Sequence, residues 1–254
     1  MLNRRHLRIR VLQALYAWQK TPEKDLAKAE KAFLKSLQEV EALYIFLLLY
    51  LVELRDNAAN FIEESKSKRL PTQEDLNPNT KFIDNLFLNS LKDDTSLLSL
   101  AGAYKLSYAG EEAMMKKIFL NLKKTQDYQE YLDVEDQDFE SDKRFLSKIF
   151  GKFLVEEEHF QNLLEDKNIH WDDDLPFITS MVVKTIKDAS EKKIELMPLF
   201  KDKEDKQFCF CLLRKTIIHT DRFTELISSK TSNWEIERVA QIDLLLMQMP
   251  QKLS

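Results

Sequence analysis

The sequence predicts an all-α protein, a multi-helix bundle, and three observations carry that prediction. Glycine and proline are scarce, 3 and 6 in 254 residues, so the tight turns of a sheet-rich chain are in short supply. Apolar residues recur at helical spacing over long stretches, and from Glu23 to about Arg69 no Gly or Pro interrupts them. The balance of 44% hydrophobic and 32% charged residues suits a chain with a core large enough for one large or two small domains.

The first helix is MLNRRHLRIRVLQALYAWQ, ending near Lys20. Arg4, Arg5, Arg8, Arg10 and His6 all precede the first acid, Glu23, in a chain with 43 acidic and 38 basic residues. At about 100° per residue, Leu7, Val11, Ala14, Leu15 and Trp18 form one apolar stripe. Arg5, Arg8 and Tyr16 share a flank within an arc of roughly 80°. Such a helix buries its stripe and presents guanidinium groups beside a phenol. Guanidinium forks suit phosphate oxygens, and an aromatic ring stacks on an unpaired base. The pattern therefore reads as an RNA-binding edge. Its plain alternatives are a solvated basic face and an organelle transit peptide. The core-like QALYAWQ and the missing serines speak against the transit peptide. A secretory signal fits no better, because Gln13 breaks the apolar run and no small-residue cleavage site follows.

Thr21-Pro22 and Glu23 restart the chain. The longest apolar run, ALYIFLLLYLV from Ala42 to Val52, has eleven residues, whereas a bilayer span takes about 20. It predicts a helix buried on nearly all sides of a bundle, in a cytoplasmic protein with no membrane partner. Arg69 to Asn79, with two prolines, is a linker. One helix is expected over Lys81–Leu100, a corner over Ala101–Gly110, and another helix over Glu111–Leu132. The acidic link Asp133–Asp142 reads as a solvated connector, since it lacks the glycine and ligand spacing of a calcium loop.

From Asp142 the chain carries a faint internal repeat. DKRFLSKIFGKF aligns with DKQFCFCLLRKT at Asp205, an offset of sixty-three residues. The same offset pairs Phe160, Leu163, Lys167 and Trp171 with Phe223, Leu226, Lys230 and Trp234, and Asp172 and Asp174 with Glu235 and Glu237. Each unit reads as a long helix, a polar link, Trp-acid-x-acid, and an apolar helix, so that two helical hairpins stack. Chance similarity between amphipathic helices is the alternative. The repeat gives Trp171 and Trp234 structural roles at helix entrances, with a ligand-binding pair as the other reading.

Catalytic constellations are missing from the sequence. There is no Gly-rich phosphate loop, HExxH, GxSxG or pair of CxxC motifs, and the histidines (His6, His159, His170, His219) are scattered. Cys209 and Cys211 point to different sides of a helix and have no nearby metal-binding partner, so they read as small buried hydrophobes in a reducing compartment. No enzyme, metal or cofactor is expected.

The pattern RRxxRxxxxQALYxWQ, carried by Arg4, Arg5, Arg8, Gln13, Ala14, Leu15, Tyr16, Trp18 and Gln19, resembles the opening helix of the NusB transcription antitermination family. His6 stands where many members have a further arginine. Asp221 to Met249 is similar to the family's middle, a long helix and polar link leading into an apolar helix with an acid. Together the two stretches cover about a fifth of the chain. The resemblance implies a NusB-like bundle in which residues 1–20 are the arginine-rich helix, 21–140 an inserted helical region, and 141–254 the NusB-like remainder. It also implies a transcription antitermination factor that binds boxA-like single-stranded RNA together with NusE, a small-subunit ribosomal protein, within an RNA polymerase complex. Arg4, Arg5, Arg8 and Tyr16 match the RNA-binding positions, and Asp243 matches the acid near the NusE-facing side. Members continue beyond the position of Met249 with two more helices, so the resemblance implies a C-terminally short form. Leu244 to Met247 are then expected to leave an apolar groove beside Leu245 and Met249, open to homo-oligomer formation or filled by the inserted helices. The alternative class is a helical protein–protein adaptor that does not bind RNA.

Overall fold

A computed structural model describes residues 2–134, 137–230 and 238–249. Among them are thirteen α-helices and no strand, only isolated bridges at Leu2–Phe200 and Ser190–Lys193. The helices are α1 (Arg4–Lys20), α2 (Leu26–Lys66), α3 (Gln73–Leu76), α4 (Leu86–Lys92), α5 (Thr95–Tyr104), α6 (Glu112–Leu122), α7 (Gln126–Asp133), α8 (Phe139–Ile149), α9 (Glu158–Lys167), α10 (Leu175–Asp188), α11 (Lys203–Ile218), α12 (Thr220–Lys230) and α13 (Gln241–Gln248). A π-helical turn, Phe150–Leu154, follows α8, and a 3₁₀ turn, Ile169–Asp174, precedes α10. The chain forms two compact units, Met1–Glu39 with Pro198–Ser254, and Val40–Met197. These units and the segments 1–20, 21–140 and 141–254 are different partitions, one drawn by packing and the other by resemblance.

The larger unit, 40–197, is built on the apolar run of α2, where every residue from Ala42 to Val52 is buried. The hydroxyls carried in with it are met from neighbouring elements. The Tyr44 hydroxyl lies 2.7 Å from Thr185 Oγ1 and accepts from the Met197 amide at 3.0 Å. Tyr108 donates to the Phe46 carbonyl at 2.9 Å. Tyr50 donates at 3.4 Å to the carbonyl of Leu154, an acceptor left over at the end of the π-turn. The rings stack as well, Phe46 on Tyr108 at 4.3 Å and Tyr50 on Phe160 at 3.9 Å. Burial pushes the Tyr50 and Tyr108 phenols well above their ordinary range, so both remain donors at neutral pH.

Several expectations change. The helix expected over Lys81–Leu100 is two helices, because Asp93 and Asp94 break it. Aspartates compete with the helical backbone for hydrogen bonds, and Asp94 Oδ1 caps α5 by accepting from Leu97 N at 2.8 Å. The corner at Ala101–Gly110 starts late, with Gly102 inside α5. The left-handed residue that closes α5 is Lys105, at φ 55°, with Leu106 N bonding back to the Ala101 carbonyl at 3.0 Å. The helix over Glu111–Leu132 is also divided, at Thr125, whose hydroxyl accepts from Tyr128 N at 3.3 Å to cap α7. Lastly, Asp142 is not part of a solvated link.

Asp142 lies within α8, fully buried. Its carboxylate accepts from Leu86 N at 2.7 Å, Tyr131 Oη at 2.6 Å and Gln137 Nε2 at 3.2 Å. Leu86 N is one of the amides that α4 cannot satisfy internally, so the buried acid completes the helix start and offsets its dipole. Burial, followed by this bond to Asp142, raises the Tyr131 phenol far above its ordinary range.

The repeat has a counterpart in burial. Asp142, Leu146, Ile149, Phe150, Val182 and Ile186 are buried, and so are Asp205, Cys209, Leu212, Leu213, Leu245 and Met249 at the sixty-three-residue offset. The correspondence weakens in the second helix, where Phe160 and Leu163 are buried but Leu226 is exposed. Trp171 is buried in the 3₁₀ turn, its ring 5.2 Å from that of Phe46. Trp234, Glu235 and Glu237 lie outside the described residues. The cysteines differ from expectation, since Cys209 is buried and Cys211 exposed. Two residues turn a helix by about 200°, so one thiol faces the core and the other faces away. Burial pushes the Cys209 thiol up to about 11.

Asp142→Ala strands the Leu86 amide and the Tyr131 hydroxyl in the core, and should cost about 2–4 kcal/mol in urea unfolding. Trp171→Ala should cost about 3–5 kcal/mol by the same measurement. A loss under about 1 kcal/mol in either variant would contradict the buried role of that side chain.

Candidate nucleic-acid interface

In the smaller unit α1 is set by its apolar stripe. Leu7, Val11 and Leu15 are buried, and the helix packs on α11 and α13. Asn3 caps its start, accepting from His6 N at 3.0 Å. Lys24 reaches back to the carbonyls of Trp18 at 2.6 Å and Gln19 at 3.1 Å, acceptors left over at the helix end. The strand-like entry is tied by Leu2 N to the Leu199 carbonyl at 2.9 Å. In the same unit Arg214 grips Glu30 through Nε at 2.7 Å and Nη2 at 3.0 Å, and Phe33 meets Phe210 edge-on at 5.2 Å.

The four α1 residues singled out by sequence have distinct surroundings. Arg4 Nε donates to Asp205 Oδ1 at 2.9 Å, from a side chain still 59% exposed to an acid that is only 7% exposed. The guanidinium carbons of Arg4 and Arg8 lie 5.1 and 5.4 Å from the centre of the Phe208 ring. One ring therefore orients two cations through its negative face. Arg5 is exposed and has no ion pair among the described residues. Arg8 is half-buried against Phe208, rather than fully exposed as the helical wheel implies. Tyr16 is 40% exposed, leaving ring area for stacking, with Lys20 Nζ 5.4 Å from its centroid. These residues form a basic edge with one accessible aromatic ring.

Asp205 and Phe208 are the residues that reading α1 alone misses. Asp205 is 201 positions from Arg4, and nothing in the opening helix tells which later helix it packs on. Their only signal in the sequence is the repeat, whose DKRF and DKQF place a buried acid and a ring in the first turns of α8 and α11.

Asp243 is exposed on α13 and has no polar contact with the α1 edge among the described residues. Helix α13 turns Leu245, Gln248 and Met249 inward against α1 and α12. Ile242 and Leu246 are 51% exposed, and Met247 is 40% exposed. Leu245 and Met249 are themselves buried, and the exposed apolar surface is that of Ile242 and Leu246, which flank them three positions earlier, with Met247 on the far side of the helix. A cavity of about 280 Å³ beside α1 is lined by Leu15, Trp18, Gln19, Lys24, Asp221 and Leu245 among others.

Among the described residues no three His, Cys, Asp or Glu side chains gather as a metal site. No helix there is long and apolar enough to cross a membrane. No family model matches this chain, and neither curated proteins nor solved structures show a significant match.

Replacing Asp205 with Ala, which removes the acceptor, should release the Arg4 guanidinium. Exchange of its Nε–H with solvent, followed by NMR, should quicken by roughly tenfold, the equivalent of one net hydrogen bond. An unchanged rate would mean that Asp205 does not anchor Arg4.

Proposed function

We propose that this protein is a non-catalytic RNA-binding factor of the NusB type, acting in transcription antitermination in the cytoplasm. Its ligand is boxA-like single-stranded RNA, bound together with the ribosomal protein NusE on RNA polymerase. The observation that carries this reading is the α1 edge, with Arg4 and Arg8 oriented over one ring, Arg5 exposed, and Tyr16 open to stacking. Guanidinium groups held in place lose less freedom on meeting phosphate oxygens, and an exposed phenol ring suits an unstacked base better than a duplex. The similarity of RRxxRxxxxQALYxWQ to the family's first helix supplies the particular RNA and partner.

A second reading, a helical adaptor for protein alone, is supported by Ile242, Leu246 and Met247, which expose an apolar face on α13 beside Asp243. Under the first reading that face and Asp243 belong to the NusE side, so the two readings differ in whether RNA binds at all.

The deciding experiment is the salt dependence of affinity for a boxA-like single-stranded RNA, with and without NusE. Arg5→Ala with Arg8→Ala should weaken binding and flatten the slope of log K against log salt by about 0.7 for each phosphate no longer neutralised. Tyr16→Ala should cost roughly 1–3 kcal/mol of binding with little change in that slope. If NusE binds while RNA affinity is absent or indifferent to the arginines, the adaptor reading replaces this one.

A further inference from the structure

The larger unit carries a basic trough that the proposed function does not use. It is an open cavity of about 440 Å³ between α8 and α10, lined by Glu140, Lys143, Arg144, Ser147, Lys148 and Lys187. The five α8 residues recur at i, i+3, i+4, i+7 and i+8, which puts them along one helix face. Four cations and one acid line this trough in a chain whose net charge is −5.

Several of these charges are already engaged. Lys143 donates to Glu140 at 2.8 Å and to the Ala189 carbonyl at 2.6 Å, so the one acid in the trough is matched. Lys148 lies 2.6 Å from Asp127 and 3.6 Å from Glu130. Arg144 and Lys187 are exposed and make no ion pair among the described residues. Between them the hydroxyl oxygen of Ser147 is buried and has no hydrogen-bond partner. A buried hydroxyl without a partner is a standing cost to the fold, and a serine can change rotamer to meet an acceptor.

We propose that this trough binds a phosphate group. Arg144 offers a planar fork, Lys187 a point charge and Ser147 a short hydroxyl donor, three kinds of donor around one space. A terminal phosphate has three unbridged oxygens, one for each donor, whereas a carboxylate or a backbone phosphodiester has two, each able to accept more than one bond. The group comes either from an RNA backbone or from a small phosphorylated compound. An anionic phosphate oxygen is common to both, the terminal group of a small compound using all three donors and the backbone diester sharing two oxygens among them, and the site does not depend on the reading given to α1.

Titration of the full chain with inorganic pyrophosphate at low salt, followed calorimetrically, tests this. Saturable binding is expected, weakened by roughly tenfold or more in Arg144→Gln/Lys187→Gln. Ser147→Ala should weaken it severalfold while leaving the melting temperature unchanged or higher, a combination that a purely structural serine would not give. Lys123→Gln/Lys124→Gln, a pair of exposed cations of the same unit that do not line the trough, should leave pyrophosphate affinity within about twofold. Absence of saturable binding, or equal weakening in both double variants, would overturn the proposal, as would full affinity in Arg144→Gln/Lys187→Gln. A single-stranded oligonucleotide then separates the sources. If Arg144→Gln/Lys187→Gln also lowers its affinity and salt slope, the phosphate is that of an RNA backbone. If only pyrophosphate binding falls, the ligand is a small phosphorylated compound. Oligonucleotide binding that survives Arg5→Gln/Arg8→Gln would sink the α1 reading and leave this one standing.

Discussion

A helix that is apolar on every side must be enclosed, and the larger unit is arranged around that requirement. From Ala42 to Val52 no residue of α2 keeps more than 8% of its surface. Burying such a stretch is favourable at about 25 cal/mol per Å² of apolar area, but only if the hydroxyls carried in with it find partners. Tyr44 meets Thr185 and Met197, and Tyr50 meets Leu154. The surrounding helices come from distant parts of the chain, and they bring hydrogen-bond partners as well as apolar surface. The short helices α4 to α7, three of them with side-chain caps, follow from the same demand. A long straight helix covers one side of a cylinder, while several short ones can turn around it.

The buried acids Asp142 and Asp205 show one sequence device in two settings. Both stand in the first turns of their helices, both are almost wholly excluded from water, and both accept from a distant element. Asp142 completes the amide end of α4 and takes a phenol proton donor, so its use is internal to the core. Asp205 accepts from Arg4 at the edge of the smaller unit, so its use is to hold a cation that remains mostly in water. An exposed ion pair of that kind adds little to stability, and its value here lies in orientation. Phe208 acts in the same sense, giving Arg4 and Arg8 a common surface without neutralising either.

Much of this protein was legible in its sequence, where a local pattern alone sufficed. Scarce glycine and helical periodicity specified an all-α chain. The wheel of α1 specified which residues face inward, and Leu7, Val11 and Leu15 do. The length of the apolar run in α2 specified a buried helix without a membrane-spanning segment there. The division of 81–100 and 111–132 was less visible because the breaks rest on Asp94 and Thr125, which read equally well as polar surface positions of a continuous helix. Only the cap geometry separates the two readings.

What the sequence determined by itself is therefore the helical class, the inward stripe of α1, the burial of the α2 run and the basic, aromatic character of the first helix, since each depends on residues within a few turns of one another. Tertiary structure decided which helix meets which. It turned Asp142 from a member of an acidic link into a core acceptor, set Phe208 under two arginines some 200 residues away, buried Leu245 and Met249 while leaving Ile242, Leu246 and Met247 outside, and brought Lys187 of α10 to the basic face of α8. The physical reason is the same in each case. Helical periodicity fixes the direction of a side chain relative to its own axis, and the environment in that direction is supplied by another part of the chain.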